Sequence, residues 1–266
     1  MDLQLDGRTA VVTGAGKGIG LAVTRALVAE GVHVVAGSRT LSPELESLQS
    51  GGAVTFVGVD LASVEGSTRL LEVAAARGGV DILVNNVGAV TPRTSGFAAI
   101  TDEEWAASFN LTFLSAVRTV RAALPELIRR GGGSIVTISS VNAFLPDPTV
   151  IDYSAAKAAL TNFSKSLSKE LGGQGIRVST VSPGPVQTEL WLGKHEVAST
   201  LAKASGSAAD NIVESAAAGA ETGRFTLPRR GCRPGVVPRQ RSCGERDRRG
   251  FRDRRRSDQD LVIIAA

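Results

Sequence analysis

The chain has 266 residues, long enough to bury the core of one α/β domain, and 30 Lys and Arg against 26 Asp and Glu give it a formal net charge of +4. The charge is uneven: twelve arginines and only five acids lie between Arg229 and Asp260, so residues 1–228 hold eighteen bases against twenty-one acids, a net of −3. A mildly acidic body argues against nucleic acid as a partner and confines the basic character to the tail. No apolar run reaches the roughly 18–20 residues of a membrane span, and the N-terminus lacks the basic-then-apolar layout of a signal peptide, so a cytoplasmic protein is expected. Both cysteines, Cys232 and Cys243, are in the tail, which leaves no disulfide framework or thiolate metal site in the body.

In chain order, Thr9-Ala10-Val11-Val12 reads as a buried parallel strand. Thr13-Gly14-Ala15-Gly16-Lys17-Gly18-Ile19-Gly20 follows at once, and Leu21 to Leu27 continues with helical periodicity. Strand, glycine turn, helix is the setting in which a Gly-rich loop binds a dinucleotide. Gly14 permits the tight turn, Gly18 and Gly20 allow close approach, and the pyrophosphate rests on free N–H groups at the helix start. The second strand, Val32 to Gly37, ends at Ser38-Arg39. An acid there would accept ribose hydroxyls and suit NAD. Arg39, with Lys17 adding a charge on the same side, suits a 2′-phosphate instead, so NADP(H) is expected over NAD(H). His33, between apolar neighbours, is expected to pack in the core.

A third strand spans Ala53 to Val59 and runs into Asp60-Leu61, and a helix is expected from Ser63 to Arg77. The fourth strand, Ile82-Leu83-Val84, runs into Asn85-Asn86-Val87-Gly88. Thr91 to Phe97 reads as a loop. Thr101-Asp102-Glu103-Glu104 is a capping box that starts a helix through Trp105 toward Arg130, with Asn110 inside it and a kink expected at Pro125. The fifth strand, Ser134 to Ser139, delivers Ser140, and a loop with Pro146 and Pro148 leads to Tyr153-Ser154-Ala155-Ala156-Lys157. The sixth strand, Arg177 to Val181, is followed by Ser182-Pro183-Gly184-Pro185-Val186-Gln187-Thr188, and Glu189 to Gly223 is alanine-rich and helical in character.

Tyr153, the only tyrosine, and Lys157 lie four residues apart on one helix face, about 6 Å apart along the axis. An ammonium beside a phenol favours the phenolate, so the lysine is expected to lower the tyrosine pKa and let it pass a proton near neutral pH. Ser140 stands thirteen residues before Tyr153. Strand alternation points it and Ser139 to opposite sides. Together the glycine turn, Asn86 and Gly88, Asn110, Ser140 and Tyr153-x-x-x-Lys157 resemble the short-chain dehydrogenase/reductase family. Its pattern is T-G-x-x-x-G-x-G, N-N-A-G, an Asn, a Ser and Y-x-x-x-K. The match runs from about Leu5 to Thr226. Val87 stands where the family usually has Ala.

The resemblance implies a Rossmann-like three-layer αβα sandwich with a mainly parallel sheet, in one catalytic and dinucleotide-binding domain over residues 1–227. It implies hydride transfer between NADP(H) and a carbonyl/secondary-alcohol pair. Tyr153 would be the acid/base, Lys157 would tune it and bind nicotinamide ribose, Ser140 would orient the substrate, and Asn110 would hold a water linking the lysine to solvent. Gly14, Lys17, Gly18, Ile19, Gly20, Arg39, Asn86 and Gly88 would hold the cofactor. Asp60 would accept from the adenine amino group and Leu61 pack on the ring, while Pro183, Gly184, Val186 and Thr188 would face the nicotinamide end. The segment after Thr188 would cover the substrate, and His195 is left out of the site. No metal is implied. A homodimer or homotetramer through the helices of Asn110 and Tyr153 is expected, with a small carbonyl or alcohol as substrate and neither nucleic acid nor membrane as partner. Alternatives are a 3-oxoacyl-thioester (acyl-carrier-protein) reductase, an isomerase or dehydratase on the same fold, or a cofactor-binding protein of little activity because its C-terminus is damaged.

Beyond Leu227 the resemblance stops. Residues 228–266 are rich in Arg, Gly and Pro, so no regular final strand is expected there. The stretch reads as an out-of-frame translation. Gly231 to Gly235 can be encoded so that a one-base shift gives Val-Ala-Asp-Leu. Glu245 to Arg256 likewise permits Asn-Val-Thr-Gly-Ala-Asp-Phe-Val-Ile-Asp-Gly-Gly, a family-like ending. Resequencing the gene across the Pro228 codon tests this.

Overall fold

The structure is a computed structural model that describes residues 3–186, 188–193, 197–218, 225, 227 and 261–262. Six strands, β1 (Thr9–Thr13), β2 (His33–Ser38), β3 (Val54–Gly58), β4 (Ile82–Asn85), β5 (Gly133–Ile138) and β6 (Ile176–Val181), pair in parallel with a two-residue β7 (Leu261–Val262). The order is β3-β2-β1-β4-β5-β6-β7. Where no regular final strand was expected, β7 pairs Leu261 with Thr180 and Val262 with Val181. Its residues are apolar, unlike the Arg-rich run before them. The remainder of 228–266, and His195, lie outside the described residues.

Alternation along each strand fills both faces of the sheet. Val11, Val35, Leu83 and Ile135 face one way and pack with Leu70 and Leu71 of α3 (Val64–Ala76), Val120 and Leu127 of α5 (Ser115–Arg129), and Leu171 of α6 (Ile151–Leu171). Val12, Val34, Ala36, Val84, Val136 and Ile138 face the other way, onto Leu27 of α1 (Gly18–Ala29) and Leu45 of α2 (Pro43–Ser50). Each of these leucines contributes about 1.5–3 kcal/mol by leaving water. Helix α2 also has no counterpart in the sequence reading. Ser42 caps it by accepting from the Leu45 N–H, and Pro43 stands in its first turn, a start signal for a helix with only one buried residue.

The expected long helix after Thr101 is interrupted. Its capping box is present, with the Thr101 side chain accepting from Glu104 N–H and the Glu104 carboxylate accepting from Thr101 N–H. α4 (Asp102–Phe109) then widens into a π turn, Asn110–Leu114, before α5 resumes and runs through Pro125 to Arg129. A π turn inserts a residue and leaves a bulge, which places Asn110 where the helix is locally rearranged. After β6 come α7 (Glu189–Leu192), α8 (Val197–Ser205) and α9 (Ala209–Ala218).

The sheet order reverses between β1 and its two neighbours, β2 and β4. In an open parallel sheet the crevice at the carboxyl ends of such strands is where ligands bind. The turns leaving β1, β2, β4, β5 and β6 all open there.

Candidate active site

One cleft of about 1780 Å³ runs along those strand ends. It is lined by Gly14, Lys17, Gly18, Ile19, Arg39, Asp60, Leu61, Asn86, Gly88, Ser140, Tyr153, Lys157, Pro183, Gly184, Val186 and Thr188. Of the residues singled out in the sequence, Gly20 and Asn110 are absent from the lining.

The glycine turn is built for close contact. Gly14 and Gly18 have φ of 64° and 57°, in the left-handed region that suits glycine. A Cβ on Gly20 would stand 2.2 Å from the Gly14 carbonyl and 2.6 Å from Asn86 Nδ2, so this glycine holds the turn against its helix from behind the lining. Helix α1 begins at Gly18 with Lys17 as its cap and no side-chain bond to the first N–H groups, which leaves donors for an anion. Asn86 serves the turn as well: Nδ2 donates to the Thr13 and Gly14 carbonyls at 3.0 and 3.2 Å, and the Asn86 N–H donates to Thr13 Oγ1 at 2.9 Å. The Thr188 methyl lies 3.5 Å from where a Cβ on Gly18 would stand, so the segment after β6 closes over the turn. At the β2 end Lys17 and Arg39 are exposed and line the cleft together with Ser38 and Thr40. This arrangement fits a dinucleotide: a cradle without side chains for the pyrophosphate, two cations beyond it, and open backbone at Gly88, where an added Cβ would be 3.3 Å from Lys157 Nζ.

At the other end of the cleft the strand end and α6 bring three groups together. Ser140 is buried, and its hydroxyl lies close to that of Tyr153 on the wall of the cleft. Asn142 supports it, with its N–H donating to Ser140 Oγ at 3.2 Å and Oδ1 accepting from that hydroxyl at 3.4 Å. The two serines point apart as alternation requires: Ser139 Oγ is paired with Thr161 Oγ1 at 2.6 Å, against α6. Lys157 is 3 % exposed, donates to the Ile138 carbonyl at 2.7 Å, and lies 5.6 Å from the Tyr153 ring centroid.

The electrostatics differ from the sequence expectation that Lys157 draws the tyrosine pKa down. Burial pushes Tyr153 up to about 12, opposed by the hydrogen bond with Ser140, and burial pushes Lys157 down to about 8. Desolvation sets both directions, and Lys157, whose own charge is destabilised in the low-dielectric interior, is not among the causes that shift the phenol.

Asn110 has its carboxamide engaged by backbone. Its Nδ2 donates to the Ala62 carbonyl at 3.0 Å, beside Arg118 Nη1 at 2.9 Å on the same oxygen. Its side chain therefore braces the turn after Asp60 and Leu61, on the β3 side of the cleft. His33 is half-buried with Nε2 at 2.9 Å from Thr55 Oγ1, and burial followed by the Arg77 charge lowers its pKa. Among the described residues no cluster of His, Cys, Asp and Glu could hold a metal ion, and no helix is long and apolar enough to cross a membrane.

Sequence reasoning missed Arg93. Its guanidinium bonds Asp152 Oδ2 through Nε and Nη2 at 3.2 and 2.6 Å and Glu104 Oε1 through Nη1 at 2.6 Å. It also missed the aromatic contact at the far wall, where Trp191 meets Phe225 edge-to-face with ring centroids 5.4 Å apart. Trp191 and Leu227 both line the cleft.

The family described as short chain dehydrogenase matches residues 8–197. Curated relatives include an uncharacterized oxidoreductase, YvrD, of Bacillus subtilis (strain 168), 36% identical over 71% of this chain and 72% of its own. A probable galactose dehydrogenase, GalD, of Rhizobium meliloti (strain 1021) is 35% identical over 73% of this chain and 79% of its own. Among solved structures, L-sorbose reductase from Gluconobacter frateurii, complexed with NADPH and L-sorbose, is 34% identical with a TM-score of 0.80, covering 89% of this chain and 90% of that one. A putative NAD(P)-dependent gluconate 5-dehydrogenase from Beutenbergia cavernae with bound NADP is 30% identical with a TM-score of 0.77, over 89% and 90%. The Rossmann-like sheet, the dinucleotide cradle and these matches make the chain a member of the short-chain dehydrogenase/reductase family, an NAD(P)-dependent oxidoreductase that acts on CH–OH groups.

Proposed function

We propose that the chain transfers a hydride between NADP(H) and a carbonyl/secondary-alcohol pair, with Tyr153 as the acid/base. The observation that carries this reading is that Ser140, Tyr153 and Lys157 line the same cleft as the glycine turn. NADPH held along the glycine turn would supply the hydride to the carbonyl carbon, and NADP⁺ there would accept it from the alcohol carbon. Ser140, held by Asn142, donates to the substrate oxygen and fixes it within reach of Tyr153. Tyr153 gives its proton to that oxygen in reduction and takes it in oxidation. Lys157, beneath the tyrosine and close to Gly88, holds the ribose side and stabilises the phenolate that proton transfer leaves.

Asn110 supports the relay from the π turn, which packs against α6, rather than through its carboxamide, which is committed to Ala62. Lys17 and Arg39 receive the 2′-phosphate, which favours NADP(H) over NAD(H). The rest of the cofactor contacts follow the lining, from Asp60 and Leu61 at the adenine to Pro183, Gly184, Val186 and Thr188 at the nicotinamide. Three of the relatives are named for sugars or a sugar acid, which supports a polyhydroxylated substrate. The aromatic ladder Trp105–Phe109–Phe113–Phe163 joins α4, the π turn and α6, and these helices are the surface proposed for a homodimer or tetramer, to be measured by light scattering.

The test is NADPH consumption, followed by absorbance, with L-sorbose, 5-ketogluconate, small diketones and a 3-oxoacyl thioester, each repeated with NADH. Turnover with a keto-sugar and NADPH supports the proposal. Turnover with the thioester alone would reassign the substrate, and equal rates with NADH would reject the role given to Arg39 and Lys17.

A further inference from the structure

The helix that carries Tyr153 follows directly on a 3-10 turn, Pro148–Val150, whose only side-chain cap is the exposed Asp147, which accepts from the Thr149 N–H at 2.8 Å. The N-cap of the helix itself is Val150, which offers no side-chain acceptor to the first N–H groups. The segment between Ser140 and that helix contains two prolines and is exposed over residues 144–148. Something outside α6 must therefore fix where its first turn stands relative to β5, and with it the Tyr153–Ser140 contact.

Arg93 does this from the loop that leaves β4. Its N–H donates to the Thr149 carbonyl at 2.6 Å. Its guanidinium grips Asp152 Oδ2 with two nitrogens and, with the third, reaches Glu104 Oε1 at 2.6 Å. Glu104 is already fixed, because its other oxygen closes the capping box on Thr101. The side chains of Arg93 and Asp152 are only 10% and 2% exposed, while that of Glu104 is 44% exposed. The loop of Arg93 is also the one whose first residues, Asn86 to Val90, line the cleft. One guanidinium thus ties the cofactor-side loop, the start of α4 and the residue before Tyr153.

Stability alone does not account for this arrangement. A buried ion pair is on balance little better than a packed apolar pair of the same volume, and here Asp152 Oδ1 is buried with no hydrogen-bond partner among the described residues, which adds a cost. A planar fork does supply fixed direction, which an apolar pair lacks.

We propose that Arg93 is a positioning residue for the reaction: by holding Thr149 and Asp152 against Glu104 it sets the first turn of α6, and so the approach of the Tyr153 hydroxyl to Ser140 and the substrate oxygen. The inference rests on the assignment of Tyr153 as acid/base. Arg93→Lys keeps the charge and loses the fork, and Arg93→Met removes the grip at similar volume. Both are compared with the parent chain by kcat, KM, NADPH affinity from fluorescence, and backbone amide exchange.

The expected result for Arg93→Lys is a kcat at least about tenfold lower, the scale of a misplaced reacting group, with NADPH affinity within about twofold. Amide exchange should quicken in residues 149–155 and stay unchanged in β1 and β4. Arg93→Met should lose more. A kcat within about twofold of the parent, or unchanged exchange at 149–155, overturns the proposal. So does exchange that quickens equally through the sheet, since that marks a general stabiliser. Tyr153→Phe is assayed in parallel. Parent-like turnover there would refute the acid/base assignment, while the exchange result still judges Arg93 by itself.

Discussion

The two ends of the sheet treat buried charge in opposite ways. At the amino end, Asp81 is nearly enclosed and its carboxylate accepts from the Thr9 N–H, from Arg8 and from two nitrogens of Arg130, all between 2.8 and 3.0 Å. At the carboxyl end, Lys157 is buried with the Ile138 carbonyl as its acceptor. Around it Thr112 Oγ1 in the π turn, Asp152 Oδ1 and Ser154 Oγ in α6, and Ser182 Oγ after β6 are buried with no hydrogen-bond partner among the described residues. The Asp81 carboxylate is satisfied and holds strands together. The groups left over at the carboxyl end lie behind the cleft rather than in its lining, in the elements that hold Lys157 and Tyr153, where local rules are expected to be broken.

The sharpest break in that contrast is Tyr153→Phe. Removing one transferable proton at the carboxyl end should lower turnover by roughly 10²–10⁴-fold with NADPH binding nearly intact. The assay is steady-state kinetics beside a fluorescence titration, and turnover within about tenfold of the parent would reject the role. At the amino end, Asp81→Ala should cost about 1.5–3 kcal/mol, because it removes the buried acceptor of the Thr9 N–H and of two part-exposed arginines. The midpoint of urea unfolding should fall while KM, measured where the variant is still folded, stays put.

The third prediction turns on pH. Lys157 is held at about 8 in the folded chain against an ordinary 10.5. Between those values the unfolded chain holds a proton that the folded chain has released, so stability rises with pH from about 8 to 10.5. Tyr153, held at about 12 against 10.0, works the other way. Its contribution is complete below pH 10 and fades toward 12. Lys157→Met should flatten the rise, worth on the order of 3 kcal/mol, and an unaltered profile of melting temperature against pH would contradict the burial assigned to this lysine. The smallest effect is expected from Arg39→Asp, which trades a phosphate partner for a ribose acceptor. A charge-assisted hydrogen bond is worth about 1.5–3 kcal/mol, so the NADP/NAD preference should drop by roughly ten- to a hundredfold in the ratio of kcat/KM.

What could be read from the sequence was whatever is written locally. The glycine turn, the Thr101–Glu104 capping box and the Tyr153–Lys157 spacing each sit within eight residues, and the alternation of Val11 and Val12 already implies two faces. The strands were placed within about two residues of their observed ends. Contacts made across the chain left no such trace: Arg93 and Asp152 are 59 positions apart, and Asn110 and Ala62 are 48. Pattern cannot say that an asparagine inside an apolar helix turns to a distant carbonyl. Nor can spacing give the tyrosine's pKa, because its sign depends on how deeply the pair is buried, and four residues of helix carry no measure of depth. Helix α2 escaped because one buried leucine in eight residues makes no periodic signal.

The contact between Trp191 and Phe225 has an optical consequence. The chain has two tryptophans. Trp105 meets Phe109 at a tilt along α4, and Trp191 lines the cleft. Indole emission overlaps the absorption of reduced nicotinamide, so a nicotinamide in the cleft should quench Trp191 by energy transfer and brighten in return. Trp105→Phe would leave a single built-in fluorophore at the substrate wall, reporting occupancy of the cleft without any label and without turnover.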